Sequence, residues 1–116
     1  MDSKAEYVLG EIEPDRFGIA LRTGFWRFYS PVGVEGLAKF DDDRLDVLAL
    51  FSPRPGQGCF RAFINRAKLK YNTIYVWEIW TPWLDGVLER YGFKPATEFV
   101  NGERIDGRRW DREAKN

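Results

Sequence analysis

The order of elements predicts a mixed α/β domain, an α+β arrangement built on a mixed sheet. Three observations predict it. A nearly continuous apolar run at 45–51 ends in a Pro/Gly-rich loop at 52–58. A 3.6-residue period then occupies 59–71, and a second strand-like segment comes next at 73–80. Finally, Asn101-Gly102 sits between two alternating segments and is the strongest two-residue hairpin signal. A helix between two strands is long enough to join them as parallel neighbours.

The elements run in order along the chain. Residues 1–14 give weak signals, with Tyr7-Val8-Leu9 read as a short strand; residues 15–22 suggest a short helix ended by Gly24. Residues 25–30 are aromatic-rich and alternate, and 35–40 form a second strand, paired with the first as a hairpin across Pro31-Val32-Gly33. Asp41-Asp42-Asp43 is an acidic turn. The run at 45–51 suits a central strand covered on both faces. From Cys59 onward, Phe60, Phe63, Ile64, Ala67 and Tyr71 share one helical face, and Lys68 and Lys70 read as its solvated side. Residues 73–80 are β-branched and aromatic. Thr81-Pro82 reads as a hydroxyl N-cap with proline at the first helical position, Leu84, Val87, Leu88 and Tyr91 as the apolar stripe, and Gly92 as the left-handed residue beyond the helix end. Strands at 93–100 and 103–110 close the hairpin, and the tail from 111 is expected to fray. From residue 25 the order is strand, strand, strand, helix, strand, helix, strand, strand, in one domain over 1–116 with a reduced N-terminal helical region.

Composition narrows the function classes. The chain has 116 residues, 44% hydrophobic and 16% aromatic, which suits one folded core. Its 18 basic and 18 acidic side chains cancel, which counts against a dedicated nucleic-acid binder. With no histidine and one cysteine, Cys59, neither Ser-His-Asp nor Cys-His catalysis can be assembled within the chain, no intramolecular disulfide forms, and no metal is expected. The polar first residues lack a secretory signal, and no apolar run approaches the ~20 residues of a membrane span. A cytoplasmic protein without membrane contact is the expectation.

The loop Ser52-Pro53-Arg54-Pro55-Gly56-Gln57-Gly58 carries the functional argument. Glycines at 56 and 58 allow a sharp turn and close approach of a ligand. The helix start behind them offers unpaired amides and a partial positive charge, which suits a phosphate. An ordinary strand-to-helix turn would look the same. A Walker loop is excluded because Cys59-Phe60 stands where Lys-Ser/Thr is required, and a dinucleotide fingerprint because Arg61 stands where its third glycine belongs.

Across roughly 25–110 the order of elements resembles the GNAT superfamily of N-acetyltransferases. Gly56-Gln57-Gly58 matches the glycines of that family's cofactor loop, and Tyr91-Gly92-Phe93 matches its typical helix end. The chain departs from the pattern at Pro53, where the loop usually has Arg or Gln, and at Thr81 and Leu88, where many members have Asn and Tyr. The resemblance implies transfer of an acyl group, with acetyl-CoA as the donor, to an amine-bearing small molecule or protein. It further implies that backbone amides near Leu50, Phe51 and Ser52 bind the pantetheine arm. The loop with Gly56 and the amides of Gln57, Gly58, Cys59, Phe60 and Arg61 would hold the pyrophosphate, with Arg54 on a phosphate or simply solvated.

Direct attack by an amine needs a base. Glu78 is preferred, read as lying inside a strand on the face of Ile74, Val76 and Trp80 where burial would raise its pKa; a salt-bridged glutamate, held by an arginine of the last strand, is the alternative. Asp46 is the second candidate. Tyr91 and Tyr75 are candidate general acids, although Tyr91 also fits a core position. Core packing accounts for most of Trp77, Trp80, Trp83 and Trp110, but two exposed indoles beside Arg104, Arg108 and Arg109 would make a surface for bases or a protein partner. A GNAT-like module that binds without catalysis is the other reading, and the short N-terminal region leaves room for a homodimer.

Overall fold

The apolar segment at 44–51 forms the strand around which the sheet is arranged. The computed structural model describes residues 3–14, 24–52, 58–79 and 81–113. Its elements are helix α1 (Ser3–Leu9), strands β1 (Glu11–Pro14), β2 (Trp26–Tyr29), β3 (Glu35–Phe40) and β4 (Arg44–Phe51), helix α2 (Cys59–Lys70), strand β5 (Thr73–Trp77), helix α3 (Pro82–Arg90), and strands β6 (Lys94–Val100) and β7 (Glu103–Asp111). The seven strands make one mixed sheet in the order β1-β2-β3-β4-β5-β7-β6. β4 and β5 are its parallel pair, joined through α2, and every other neighbouring pair is antiparallel.

Alternation along the strands sorts two apolar clusters onto opposite faces. Phe28, Val34, Ala38, Leu45, Val47, Ile74 and Val76 pack with the buried residues of all three helices. Phe63 is 2% exposed and stacks on Phe28 at 5.4 Å between ring centroids. Removing a side chain of that kind from a core costs about 3–5 kcal/mol. On the other face Phe25, Leu48, Tyr75, Trp77 and Ile105 form a smaller cluster. There Gly107 stands opposite Trp77, and a Cβ on it would fall 2.1 Å from the Val76 carbonyl oxygen, so this crossing of β5 and β7 admits only glycine.

Several expectations need correction. Tyr7-Val8-Leu9 belongs to a helix, because Ala5, Val8 and Leu9 lie three and four residues apart and all three are buried, while the Tyr7 ring sits beneath Arg66 and Lys70 of α2. Strand β1 has no local sequence signal; it is held by antiparallel pairing with β2. The strand expected over 73–80 ends at Trp77, and Trp80 lies outside the described residues, as do the helix expected at 15–22 and loop residues 53–57. Thr81 occupies the N-cap of α3, yet its hydroxyl makes no cap bond there. The last strand continues through Asp111 instead of fraying from that residue. Lys68 is not a solvated lysine: its Nζ donates to the Tyr91 carbonyl and lies within 5.1 Å of the Trp110 ring centroid, and burial lowers its pKa.

Other local signals hold. Asn101 and Gly102 have φ of 52° and 79°, the pair of positive values that the tight hairpin turn requires. At the end of α3 the Gly92 amide bonds the Glu89 carbonyl and the Phe93 amide bonds the Leu88 carbonyl. With Leu88 and Phe93 both in the core, this is a complete Schellman cap, so Tyr91-Gly92-Phe93 has a local structural cause of its own.

Candidate functional site

The parallel pairing stops short at one end. β4 and β5 pair from Arg44↔Thr73 only as far as Val47↔Val76, although β4 continues to Phe51. Ala49, just past the last pair, has φ 54°, and the register against β3 shifts there. A left-handed residue in a strand bends the chain and re-aims the residues after it. Residues 48–51 therefore run on along one edge without a β5 partner, β5 itself ending at Trp77, one residue past the last pair.

Beyond that point in the chain comes the start of α2. Gly58 is its N-cap at φ 73°, a conformation that side chains disfavour, and a Cβ there would meet nothing within 4 Å. The first amide bonded within the helix is that of Ala62, to the Gly58 carbonyl at 3.0 Å. Gly58, Cys59, Phe60 and Arg61 therefore have no intrahelical acceptor, and the N-cap glycine brings no side chain to cap them. Phe60 meets Trp83 edge to face at 5.3 Å, which sets the first turns of α2 and α3 side by side; Trp83 remains 55% exposed.

Of the candidate ligand-binding residues on β4, Leu50 packs against the helix-side core and Phe51 is exposed. Ser52 is only 7% exposed, and among the described residues its Oγ has no hydrogen-bond partner. Cys59 and Phe60 are half-buried against the same core, and Arg61 is exposed. Arg54, Gly56 and Gln57 lie outside the described residues.

Glu78 stands at the carboxyl end of β5, on the same edge of the sheet. It is not inside a strand: it comes directly after the last strand residue at φ 45°, so the alternation that would place it with Ile74, Val76 and Trp80 does not extend to it. Its amide donates to the Asp106 carbonyl at 2.8 Å, which fixes this turn against β7. Glu78 is half-buried and lines a cleft of about 400 Å³ with Ile79, Asp85, Arg104, Asp106 and Gly107. The hydrogen bond from Arg108 holds the Asp85 carboxyl below the usual carboxylate range. Thr97 and Arg104 do the same to Asp106. Both are ionised at neutral pH.

The remaining candidates lie elsewhere. Asp46 is clasped at the opposite end of the strand pair, accepting from Arg44 Nε and Nη2 at 3.0 and 2.8 Å and from the Trp77 indole at 3.0 Å. Tyr75 is 1% exposed, and the Ala96 and Ile105 carbonyls, at 3.0 and 2.9 Å, are alternative acceptors for its single hydroxyl proton. Burial first, then the Glu98 and Asp106 charges, push its pKa up to about 12. Tyr91 packs beside Lys68, in the last turn of α2 and well away from Gly58 at the first. Arg104, Arg108 and Arg109 are each paired with carboxylates, while Trp77 is buried and Trp110 is half-buried over Lys68. Of the other two indoles, Trp83 is exposed and Trp80 lies outside the described residues.

Sequence reasoning missed the Ser52 hydroxyl, the Phe60–Trp83 contact, and Asp85 and Asp106 beside Glu78. Asp106 is brought there by long-range pairing of β5 with β7, and Asp85 by its bridge from α3 to Arg108 of β7, neither of which leaves a local signal. Among the described residues no group of His, Cys, Asp and Glu side chains is arranged to hold a metal ion, and no helix is long and apolar enough to cross a membrane. No protein-family model matches the chain, and no curated protein sequence does so either.

Proposed function

We propose that the protein is an acyl-CoA-dependent N-acyltransferase of GNAT-like architecture, acetyl-CoA being the expected donor. The observation that carries this reading is the run of β4 past the end of its pairing with β5, followed by a helix that starts on a left-handed glycine N-cap. Residues 48–52 offer an open strand edge suited to the amide-bearing pantetheine arm. The amides of Gly58, Cys59, Phe60 and Arg61 suit its pyrophosphate. The empty space about the Gly58 α-carbon fits a ligand pressed against backbone.

On this reading the cleft beside Glu78 receives the amine. Three carboxylates and one guanidinium line it, a balance that favours a cationic acceptor. The thioester supplies the electrophilic carbonyl. The chain's part is to hold the amine against it and to take, on the Glu78 carboxylate, the proton lost as the nitrogen–carbon bond forms; the carbon–sulfur bond then breaks and coenzyme A leaves as its thiolate, protonated from solvent. A binding module without catalysis is favoured by one observation: Leu88, where the resemblance would call for a tyrosine hydroxyl, is fully buried.

Thermal unfolding with and without acetyl-CoA tests the proposal. A donor at a hundredfold its Kd stabilises by about 2.7 kcal/mol. Stabilisation together with acylation of an amine supports the enzyme; stabilisation without turnover on any amine leaves the module. No shift at millimolar acetyl-CoA rejects both.

A further inference from the structure

We propose that Tyr29, Glu35 and Phe51 form a binding site for a methylated ammonium group, on the sheet face opposite the helices. Register sets these three side chains in a row. Glu35 of β3 pairs with Tyr29 of β2 on one side and with Phe51 of β4 on the other, so all three stand on one face. It is the face on which Leu37, two residues along β3, packs against the smaller apolar cluster. Together with Arg27 and Leu37 they line a cavity of about 200 Å³.

A bulge builds this arrangement. Leu37 pairs with Leu48 and Glu35 with Phe51, so β4 advances three residues while β3 advances two. Ala49, at φ 54°, lies in the extra stretch. Strict alternation from Leu48 would send Phe51 to the helix side. The extra residue instead turns Leu50 to the helix-side core and brings Phe51 beside Glu35. Bulges that re-aim a side chain in this way recur next to binding sites.

The lining selects the ligand. Phe51 is 58% and Tyr29 40% exposed, so ring surface is free on both sides. Glu35 is half-buried, and its carboxylate has no hydrogen bond or ion pair among the described residues. Arg27, the cation in the lining, is engaged by Glu13, its register partner on β1, at 4.0 Å. Its guanidinium also lies 5.9 Å from the Tyr29 ring centroid, so that ring already accepts positive charge. Strands two apart are separated by about 10 Å, so a group seated over Glu35 lies about 5 Å from either ring, within the ~6 Å reach of a cation–π contact. Two rings and a carboxylate suit a bulky, weakly hydrated cation better than a bare amine that keeps its water. The inference does not depend on the acyl-CoA reading.

Titration with choline, followed by nuclear magnetic resonance without coenzyme A, tests it against the uncharged isostere in which a tert-butyl group replaces the trimethylammonium. Choline should bind saturably, with a Kd on the order of 1 mM, and shift the amides of Tyr29, Glu35 and Phe51. The isostere should bind at least about fivefold more weakly. Glu35→Gln should weaken choline by about fivefold and leave the isostere unchanged; Phe51→Leu should weaken choline by about two- to fivefold. The site is overturned if choline does not saturate, if the isostere binds as well as choline, if both variants bind choline like the wild type, or if Glu35→Gln loses both ligands alike, the mark of a disturbed fold. A peptide carrying trimethyllysine identifies the source of the cation. Tighter binding than choline marks an ammonium borne by a protein partner, and equal or weaker binding a free small ligand; either result supports the site.

Discussion

The two ends of the β4–β5 pair use polar groups in opposite ways. At the amino end, Arg44 bridges Asp46 and Glu98, Arg109 bridges Glu98 and Asp111, and Thr73 donates to Asp111. Each partner answers another within the sheet, and the Arg44 guanidinium also lies over the Tyr75 ring at 5.4 Å. At the carboxyl end, Ser52 Oγ is unanswered among the described residues, the N-cap glycine of α2 brings no side chain to its first amides, and Ala49, Gly58 and Glu78 all have positive φ. The first arrangement is a clasp. The second keeps strained backbone and unmatched donors, a pattern of sites that await a ligand. Buried charge alone would have pointed to Asp46, at the wrong end.

The largest effect should come from Glu78→Gln. If the carboxyl end is catalytic, turnover at neutral pH falls by roughly 10²–10⁴, with coenzyme A binding nearly unchanged and the residual rate rising with pH as the amine deprotonates. Steady-state kinetics against pH reads this; a loss of stability with proportionate loss of activity would instead make Glu78 a structural ion-pair member. Next is Arg44→Ala, which leaves Asp46 with only the Trp77 indole and Glu98 with only Arg109. Breaking a buried pair costs about 3–5 kcal/mol, and partial exposure of these groups places the expected loss near roughly 2–3 kcal/mol by urea denaturation. Its coenzyme A affinity should not change; a change would mean that the two ends are coupled. Gly58→Val should cost about 1–2 kcal/mol from the left-handed backbone alone and remove the coenzyme A-induced rise in Tm.

The smallest effect is a pH dependence, to which the clasp and its neighbours contribute alongside Asp85 and Asp106 of the cleft. Arg109 and Thr73 hold Asp111, and backbone amides hold Asp41, below the usual range. Folded-state values below unfolded ones give stability that is present above about pH 4 and lost as pH falls. Tyr75, pushed up to about 12, contributes below pH about 10, and that contribution is lost as pH rises toward 12. Tm measured against pH should therefore fall on both sides, and Tyr75→Phe should flatten the alkaline side alone.

Most of this fold could be read from the sequence because its signals are local. The 3.6 period of Phe60, Phe63, Ile64 and Ala67, the Asn101-Gly102 turn and the Gly92 cap each depend on a few adjacent residues. The features that escaped depend on distant partners. Val8 and Leu9 favour strand in isolation and become helical because α2 supplies a surface for them. Glu78 leaves the strand where a carbonyl of β7 captures its amide. Lys68 spreads its stem over Trp110 and Phe93, a use of a long cation that no helical wheel distinguishes from solvation. In the candidate site, the glycine and the helix start were legible. The orphaned hydroxyl was not, because a serine's burial depends on the segments that fold over it.

The position of β7 has a consequence for how the chain acquires its shape. It is the last strand in sequence yet lies inside the sheet, between β5 and β6. A growing polypeptide can form the β2–β3–β4 meander early, but β5 keeps a bare edge until residues 103–111 have been synthesised. Closing that edge joins residues such as Thr73 and Asp111, a separation that raises contact order and slows folding. Until then the strip at 75–77 remains available to other chains, so aggregation of nascent protein should depend on how quickly this final strand inserts.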